Sequence, residues 1–177
     1  MTDWRMGIDL GTSAVKLVVL NSNGQVQAES GASYPTFSAL PGQAEQNPHN
    51  WITALIKAVG DLPKTCAEKI GAISVAGQMP TLVCLDRQGK SIGSAITWQD
   101  ARADTMAADK LFGDARSRVY ARTGMPVDGR YIAPQFLFHF NNRRDEISHI
   151  LSAKDYIVYA LSGRIVTDPS TAAGYTM

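Results

Sequence analysis

The opening of the chain constrains its fold most, because an apolar strand there contains one acid and ends in a turn of small residues. Residues 5–10 and 14–20 are rich in β-forming residues and are joined by the turn at 11–13. A second turn at 21–24 leads into residues 25–29, where polar and apolar side chains alternate. Alternation with this period is typical of a half-buried strand. The first thirty residues therefore predict three consecutive antiparallel strands.

The first turn and the acid before it form a candidate phosphate site. Gly11 has no side chain and lets backbone N–H groups approach an anion closely, and the hydroxyls of Thr12 and Ser13 can donate as well. Asp9 would hold a hydrated divalent cation, or the water around it, beside the phosphates. An ordinary hairpin turn is the alternative, because turns of this composition are common. The segment lacks the glycine pattern of a dinucleotide-binding turn and the Gly-Lys-Thr ending of a P-loop.

Apolar periodicity predicts strands and helices in the rest of the chain. Asn47 suits an N-cap and Pro48 the first position of a helix whose apolar side chains recur at three- and four-residue spacing through residue 59. The other predicted elements are strands over 70–76, 82–86 and 95–98, helices over 101–112, 115–123, 133–141 and 153–161, and a closing strand over 165–167. This order indicates an α/β fold.

A second candidate motif follows the predicted strand over 70–76. Gln78, with Met79 and Pro80 after it, offers both a donor and an acceptor at a strand end, where α/β sheets present their ligands. The structural alternative is a tight turn in which Gln78 is solvated and Met79 fills the core. Taken alone, the motif favours that alternative.

A third candidate motif combines an aromatic ring, a carboxylate and a guanidinium. Trp98 could form an apolar wall, and Asp100 could accept hydrogen bonds from sugar hydroxyls, with Arg102 beside it. The structural alternative is a helix N-terminus in which Asp100 is the cap and Arg102 is solvated. That alternative is again the one that the motif favours in isolation.

Composition limits the partners of the chain. Its 177 residues include 17 Lys and Arg against 16 Asp and Glu, a formal charge of +1, which removes the electrostatic reason to expect nucleic acid or an anionic membrane. Cys66 and Cys84 are too few for a disulfide framework and lack metal-site spacing. His49, His139 and His149 also lack such spacing, so we expect solvated or helix-surface positions. With no signal-peptide pattern at the N-terminus, we expect a cytoplasmic protein of one domain, or a fraction of a larger one.

In their order along the chain, these motifs resemble the FGGY carbohydrate kinases, and within them the xylulokinase-like branch. Gly-Ile-Asp-Leu-Gly-Thr-Ser at 7–13 is similar to the first phosphate motif of the sugar kinase, heat-shock ATPase and actin superfamily. The likeness continues through Glu45-x-x-Pro48-x-x-Trp51, Gly77-Gln78-Met79, Trp98-Gln99-Asp100-Ala101-Arg102, Thr123-Gly124-Met125-Pro126, Lys154-Asp155-Tyr156, Leu161-Ser162-Gly163 and Thr167-Asp168-x-Ser170. It implies a ribonuclease H-like domain of the actin-like ATPase superfamily, with a mixed sheet and flanking helices.

The resemblance also implies ATP and Mg²⁺ as cofactors and a sugar as substrate. Asp9 would serve magnesium and the transition state. The residues implied to face the phosphates are Gly11, Thr12 and Ser13, those implied to line the sugar site are Gln78, Met79 and Pro80, and those implied to lie near it are Trp98, Asp100, Arg102 and Arg130. Residues 1–177 would be an incomplete N-terminal domain, with the C-terminal kinase domain absent.

Two departures from the family pattern bear on activity. Xylulokinase-like members usually have His where this chain has Pro80, and proline offers neither a side-chain hydrogen bond nor an N–H, so this departure leaves the identity of the sugar open. The family's catalytic base, an Asp, would lie beyond residue 177, as would the adenosine site. We therefore expect phosphorylation of a pentulose such as xylulose, or a related polyol, by the complete protein, and an inactive chain when residues 1–177 stand alone.

Two other function classes share parts of this pattern. A non-catalytic sugar-binding or regulatory module would have the same turn and sugar pocket without transferring phosphate. A chaperone-like or actin-like ATPase would share the Asp9 motif but leaves Gln78 and Trp98 unexplained. The oligomeric state stays open, with a homodimer as one option.

Overall fold

The computed structural model describes residues 3–103 and 112–175, and their contacts divide the chain into two units. The first unit contains the residues up to Pro35 together with His49–Gln78. The second contains Thr36–Pro48 together with the residues from Met79 onward. The chain therefore enters the second unit, returns to the first, and enters the second again.

The described residues form eight strands and six α-helices. The strands are β1 (Trp4–Leu10), β2 (Ala14–Leu20), β3 (Val26–Ser33), β4 (Glu45–Gln46), β5 (Ile70–Gly77), β6 (Val83–Leu85), β7 (Ala95–Ile96) and β8 (His149–Leu151). The helices are α1 (Pro48–Gly60), α2 (Lys64–Ala67), α3 (Arg116–Thr123), α4 (Ile132–Phe140), α5 (Ala153–Ser162) and α6 (Pro169–Ala173), with 3-10 segments at Gly113–Ala115 and Asn141–Glu146. Across residues 3–103 and 112–175, no helix has the length and apolar character needed to cross a bilayer.

The first unit is built on a four-stranded mixed sheet with the strand order β3-β2-β1-β5. β2 runs antiparallel to both β1 and β3, whereas β5 runs parallel to β1. The predicted antiparallel order of the first three strands is confirmed, and β3 extends further than the predicted 25–29. Because β5 is parallel to β1, the C-terminal ends of these two strands lie at the same edge of the sheet.

One face of this sheet forms the core of the first unit. Side chains alternate along a strand, so β1 buries Met6, Ile8 and Leu10 while Asp9 is exposed. Helix α1 begins at Pro48, as predicted, and contributes its own buried side chains, which are Trp51, Ala54, Leu55 and Ala58. The Ser30 hydroxyl donates to the Ala58 carbonyl at 2.7 Å and links β3 to this helix.

The second unit contains two short antiparallel ribbons. β4 pairs with β7 and β6 pairs with β8, while a bridge between Leu82 and Ile96 connects the ribbons. The core around them consists of the buried side chains of Leu82, Cys84, Ile92, Ile96, Ile132 and Phe140. Burial raises the pKa of the Cys84 thiol to about 12, so Cys84 packs as a small apolar side chain. Both cysteines are free.

The C-terminal elements differ most from the predictions. The closing strand over 165–167 is wrong, because these residues are not in a strand, and the α6 helix follows at Pro169. The strand β8, which pairs with β6, was not predicted. The helix expected over 101–112 falls largely on residues 104–111, outside the described residues, and 101–103 are not helical. The helices expected over 115–123, 133–141 and 153–161 are present within one residue of those bounds.

We expect Gly89→Ala to destabilise the protein more than Gly24→Ala does. Both glycines have positive φ, 78° and 77°, a conformation that costs a residue with a Cβ about 1–2 kcal/mol. A Cβ at Gly24 would meet nothing within 4 Å, whereas one at Gly89 would overlap the Tyr159 hydroxyl and lie 2.8 Å from Tyr159 Cζ. In urea unfolding, the loss for Gly89→Ala should exceed the other by about 1–3 kcal/mol. Equal losses would show that Tyr159 moves aside at no cost.

Candidate active site

Asp9 lies on the exposed face of the first unit's sheet. It stands opposite Lys16 of β2 and beside Ala76 of β5. This part of the sheet lines an open hollow of about 360 Å³, whose other lining residues include Gly7, Val18, Glu29 and Ser74. Because several of these residues are small, the Asp9 carboxylate is accessible to a ligand.

The turn after β1 is closed by hydrogen bonds from both sides. The Gly11 N–H donates to the Ala14 carbonyl at 3.0 Å, and the Tyr34 N–H donates to the Ser13 carbonyl at 3.1 Å. The Tyr34 hydroxyl donates to the Gly11 carbonyl, and burial, together with the nearby Asp9 carboxylate, raises the pKa of that phenol. A Cβ at residue 11 would lie 3.2 Å from the Ala14 carbonyl. Glycine at this position therefore allows a tight turn, with its own N–H already in use.

Gln78 reaches the same edge of the sheet as Asp9. Its N–H donates to the Leu10 carbonyl at 2.8 Å, which continues the parallel pairing of Leu10 with Gly77. The side chain is mostly buried, with 8% of the residue exposed, so the expectation of a solvated Gln78 is wrong. The structure therefore brings Asp9, the 11–13 turn and Gln78 together within the first unit.

Met79 and Pro80 begin the long second segment of the second unit. The peptide bond between them is cis. Met79 is 37% exposed, so it does not fill a core as the structural alternative supposed.

Asp100 is the most enclosed of the predicted site residues, with 0% of its surface exposed. Its carboxylate accepts a hydrogen bond from the Ala44 N–H at 2.9 Å. It also accepts hydrogen bonds from Arg102, from the backbone N–H at 3.1 Å and from the guanidinium Nη2 at 2.6 Å. The same Nη2 lies 2.6 Å from a carboxylate oxygen of Glu45. Asp100 therefore accepts hydrogen bonds from the protein itself and connects the 97–102 segment to β4.

Trp98 lies between two anchored residues of that segment. The Thr97 N–H and hydroxyl both donate to the Ala44 carbonyl, at 3.1 and 3.0 Å. On the other side, the Asp100 carbonyl accepts a hydrogen bond from the Gln135 side chain at 2.9 Å. Trp98 itself is 38% exposed. The indole is thus presented at the surface by a segment with a buried polar framework.

The charged groups Glu45, Asp100 and Arg102 shift one another's pKa values in the direction that favours the charged forms. Burial opposes ionisation of the Asp100 and Glu45 carboxyl groups, but hydrogen bonds, among them those from Arg102, outweigh it and lower the pKa of both. The two carboxylates in turn raise the pKa of Arg102 against the effect of burial. The three groups are therefore held in their charged forms.

Arg130 lies in a separate ion pair. Its Nε is 3.0 Å from the Asp128 carboxylate, and 60% of its side chain is exposed. Within the second unit, the structure thus brings Trp98, Asp100 and Arg102 together, while Arg130 is paired elsewhere.

Three residues that contribute to this site were not identified from the sequence. Glu45 figured only as part of the family motif, although it completes the ion pairing of Arg102. Gln135 gave no signal beyond helical periodicity. His139, expected at a solvated position, has a side chain only 10% exposed, with Nε2 lying 3.6 Å from Asp100 Oδ1. Glu45 could have been identified from its place in the motif, whereas Gln135 and His139 reach the site through the packing of α4.

We expect the stability of the protein to decrease with acidification in two steps. Burial, followed by the Arg102 charge, lowers the pKa of His139, so below about pH 6.5 the unfolded chain takes up a proton that the folded chain does not. Asp100 and Glu45 have lowered pKa values, so their contribution is present above about pH 4 and is lost as the pH falls through their folded pKa values. Urea unfolding between pH 8 and pH 3 would measure both steps.

A matched variant separates the two steps. In His139→Gln the decrease that begins near pH 6.5 should be reduced, while the decrease below about pH 4 should persist. An unchanged profile in this variant would contradict the assignment of the first step to His139.

Magnesium would have to be held with few protein ligands. The described residues contain no group of three or more His, Cys, Asp or Glu side chains that could hold a metal ion. Mg²⁺ bound with a nucleotide typically uses one or two carboxylates, with phosphates and water as the other ligands. The accessible carboxylate of Asp9, beside the 11–13 turn, fits that arrangement.

Comparison with known proteins places this arrangement in a family. The profile of the FGGY family of carbohydrate kinases, N-terminal domain, matches residues 4–177. A xylulose kinase from Bacillus subtilis (strain 168) is 35% identical over an alignment that covers 96% of this chain and 35% of that protein. A gluconokinase from the same organism is 30% identical and is matched over 100% of this chain and 35% of its own length.

Solved structures give the same result for the fold. A ligand-bound xylulose kinase from Lactobacillus acidophilus superposes with a TM-score of 0.88 at 30% identity, covering 98% of this chain and 36% of that chain. The chain therefore spans about a third of the length of the relatives that it matches. The α/β fold with a mixed sheet, expected from the actin-like ATPase resemblance, is confirmed. The chain belongs to the FGGY family of carbohydrate kinases and corresponds to their N-terminal domain.

Proposed function

We propose that the complete protein phosphorylates a hydroxyl of a sugar with ATP, and that this chain is its sugar-binding N-terminal part. The substrate that we propose is a pentulose such as xylulose, or a related polyol. The observation that carries the proposal is the accessible Asp9 carboxylate at the same sheet edge as the 11–13 turn and Gln78. Membership in the FGGY family, with relatives named as xylulose and gluconate kinases, supports it.

On the phosphate side, we assign different roles to Asp9 and to the 11–13 turn. The Gly11 N–H donates to the Ala14 carbonyl, so in this proposal Gly11 allows the close approach of the phosphates, and Thr12 and Ser13 are the hydroxyl residues of the turn that face them. Asp9 would orient the hydrated Mg²⁺ of the nucleotide. That ion would supply charge neutralisation for the phosphoryl group in transfer.

On the sugar side, we assign the hydrogen bonds to sugar hydroxyls mainly to Gln78. Met79 and Trp98 offer partly exposed apolar surfaces to the carbon skeleton. Pro80 cannot donate a hydrogen bond, so in this proposal it offers the sugar apolar contact only. Asp100 and Arg102 would act through the Trp98 segment, since their hydrogen bonds are made within the protein. Arg130, paired with Asp128, would contribute only from the edge of the site.

The general base and the adenosine site belong to the remainder of the complete protein in this proposal. A base Asp beyond residue 177 would take the proton from the attacking hydroxyl, and the second domain would close over the site to exclude water. Residues 1–177 alone should therefore produce no sugar-dependent ADP.

The test is a coupled ADP assay on the complete protein. ATP and Mg²⁺ are supplied with xylulose, gluconate or glycerol, and the phosphorylated product is identified by mass spectrometry. We expect ADP release that depends on the sugar, fastest with the pentulose, and a no-sugar reaction as the control for plain ATP hydrolysis. Sugar binding by calorimetry without ADP release from any of the three would overturn the proposal and favour the non-catalytic binding module.

A further inference from the structure

The α6 helix is fixed in the second unit by a chain of charged groups. The Asp168 side chain caps the helix, accepting hydrogen bonds from the Thr171 N–H at 3.0 Å and from its hydroxyl at 2.9 Å. Lys154 Nζ lies 2.8 Å from the Asp168 carboxylate and 2.7 Å from that of Asp155, which is fully buried. The start of α6 is thereby attached to α5.

The residues after α6 are attached to the same network. The Gly174 N–H donates to the Thr171 carbonyl at 3.0 Å. The Tyr175 hydroxyl donates a hydrogen bond of 3.2 Å to Asp155 Oδ2, whereas Lys154 contacts Oδ1 of the same carboxylate. Gly174 is therefore held on both sides, by Thr171 before it and by Tyr175 after it.

Gly174 packs directly against the side chain of Met79. A Cβ at residue 174 would lie 3.0 Å from Met79 Cε and 3.5 Å from its Sδ. The backbone of Gly174 is right-handed helical, with φ of −72°, a conformation that any residue adopts. A Cβ here would also lie 3.3 Å from the Thr171 carbonyl oxygen, so both the Met79 methyl group and the neighbouring backbone make the position tight. Of the two, the methyl group at the end of the Met79 side chain is the one that can move.

We propose that Gly174 is a positioning residue that sets the place of the Met79 thioether in the sugar site. The proposal rests on the proposed function, which puts Met79 at the carbon skeleton of the sugar. The anchored 168–175 segment acts as a fixed support, and the absence of a side chain at Gly174 lets the thioether lie against it. A methyl group added there would push the flexible end of Met79 away from the support, and Met79 is exposed enough to move.

The experiment compares two glycine-to-alanine variants of the complete protein. Gly174→Ala should raise the KM for the sugar about three- to tenfold, with kcat and the KM for ATP changed by less than about twofold. Gly60→Ala is the matched control, because Gly60 ends α1 and a Cβ there would meet nothing within 4 Å. We expect wild-type kinetics for the control. A merely structural defect would lower the melting temperature, whereas we expect that of Gly174→Ala to stay within about 3 °C of wild type.

A double-mutant cycle and a spectroscopic measurement make the assignment specific. In a Met79→Ala background, adding Gly174→Ala should change the KM for the sugar by less than about twofold, because the displaced group is gone. With ¹³C-methyl methionine labelling, the Met79 resonance, identified by its loss in Met79→Leu, should shift in Gly174→Ala and stay in place in Gly60→Ala.

The outcomes distinguish this proposal from the proposed function. An unchanged KM in Gly174→Ala, an equal rise in the Met79→Ala background, or an unmoved Met79 resonance would each overturn the positioning role. A wild-type protein that forms no ADP with any sugar would overturn the proposed function. In that case the resonance still decides whether Gly174 and Met79 are in contact.

Discussion

Asp9→Asn in the complete protein is expected to lower the rate of sugar-dependent ADP formation by about 100- to 1000-fold. The amide keeps the size and hydrogen-bonding shape of the side chain but removes the negative charge that would orient the hydrated Mg²⁺. Asp9 lies on the exposed face of the sheet, so the substitution should leave the buried core of the first unit intact. Steady-state kinetics with saturating ATP and sugar would measure the loss.

The control for this prediction is Glu29→Gln. Glu29 is a second exposed carboxylate on the same sheet face and lines the same hollow, but it lies two strands away from Asp9. We expect it to retain wild-type turnover, and we expect both variants to bind the sugar with unchanged affinity by calorimetry. If Asp9→Asn retains its turnover, the role that we assign to Asp9 is wrong.

The first unit could be predicted well because its elements are encoded locally. Side chains alternate along β1, so Asp9 lies on the sheet face opposite to the one that carries the buried Ile8 and Leu10. The exposure of the acid therefore follows from the pattern. The start of α1 is likewise marked by Asn47 and Pro48, which lie beside one another in the sequence. What the pattern could not give is the parallel pairing of β1 with β5, which brings Gln78 to the turn across more than sixty residues of intervening sequence.

The end of the chain shows the limit of local pattern. Residues 165–167 are β-branched and predict a strand, yet a strand also needs a partner, and in the described residues none pairs with them. His149–Leu151 is short and has no alternation, but it pairs with Val83–Leu85. Pairing between distant segments decided both cases against local propensity.

The residues of the candidate site in the second unit could be predicted from the sequence, but their interactions could not. Asp100-Ala101-Arg102 and Asp128-Gly129-Arg130 have the same Asp-x-Arg spacing, and in both the arginine N–H and Nε donate to the aspartate. The two tripeptides differ only in their middle residue, Ala101 or Gly129, and that difference does not predict which pair is buried. Their surroundings distinguish them, since Asp100 is fully buried beside Ala44 and Glu45, whereas the Asp128–Arg130 pair is exposed.

Because Asp100 is buried and the Asp128–Arg130 pair is exposed, we expect a large effect on stability at Asp100. Asp100→Asn should reduce the free energy of unfolding by about 2–4 kcal/mol. The amide has one acceptor oxygen for the Ala44 N–H and Arg102, and among the described residues it leaves Glu45 as the carboxylate paired with the guanidinium. Because the carboxylate is buried, water cannot replace the lost interactions. Urea unfolding at pH 7 would measure the change.

Asp128→Asn is the internal control, because it makes the same chemical change in the same local motif. With 31% of the Asp128 side chain and 60% of the Arg130 side chain exposed, water compensates for the lost charge, and we expect a change of at most about 1 kcal/mol. Equal losses in the two variants would show that the local Asp-x-Arg interaction, and not the buried contacts with Ala44 and Glu45, supplies the stability. A large loss confined to Asp100→Asn would instead show that this carboxylate holds the Trp98 segment on β4, because those contacts are what distinguish it from Asp128.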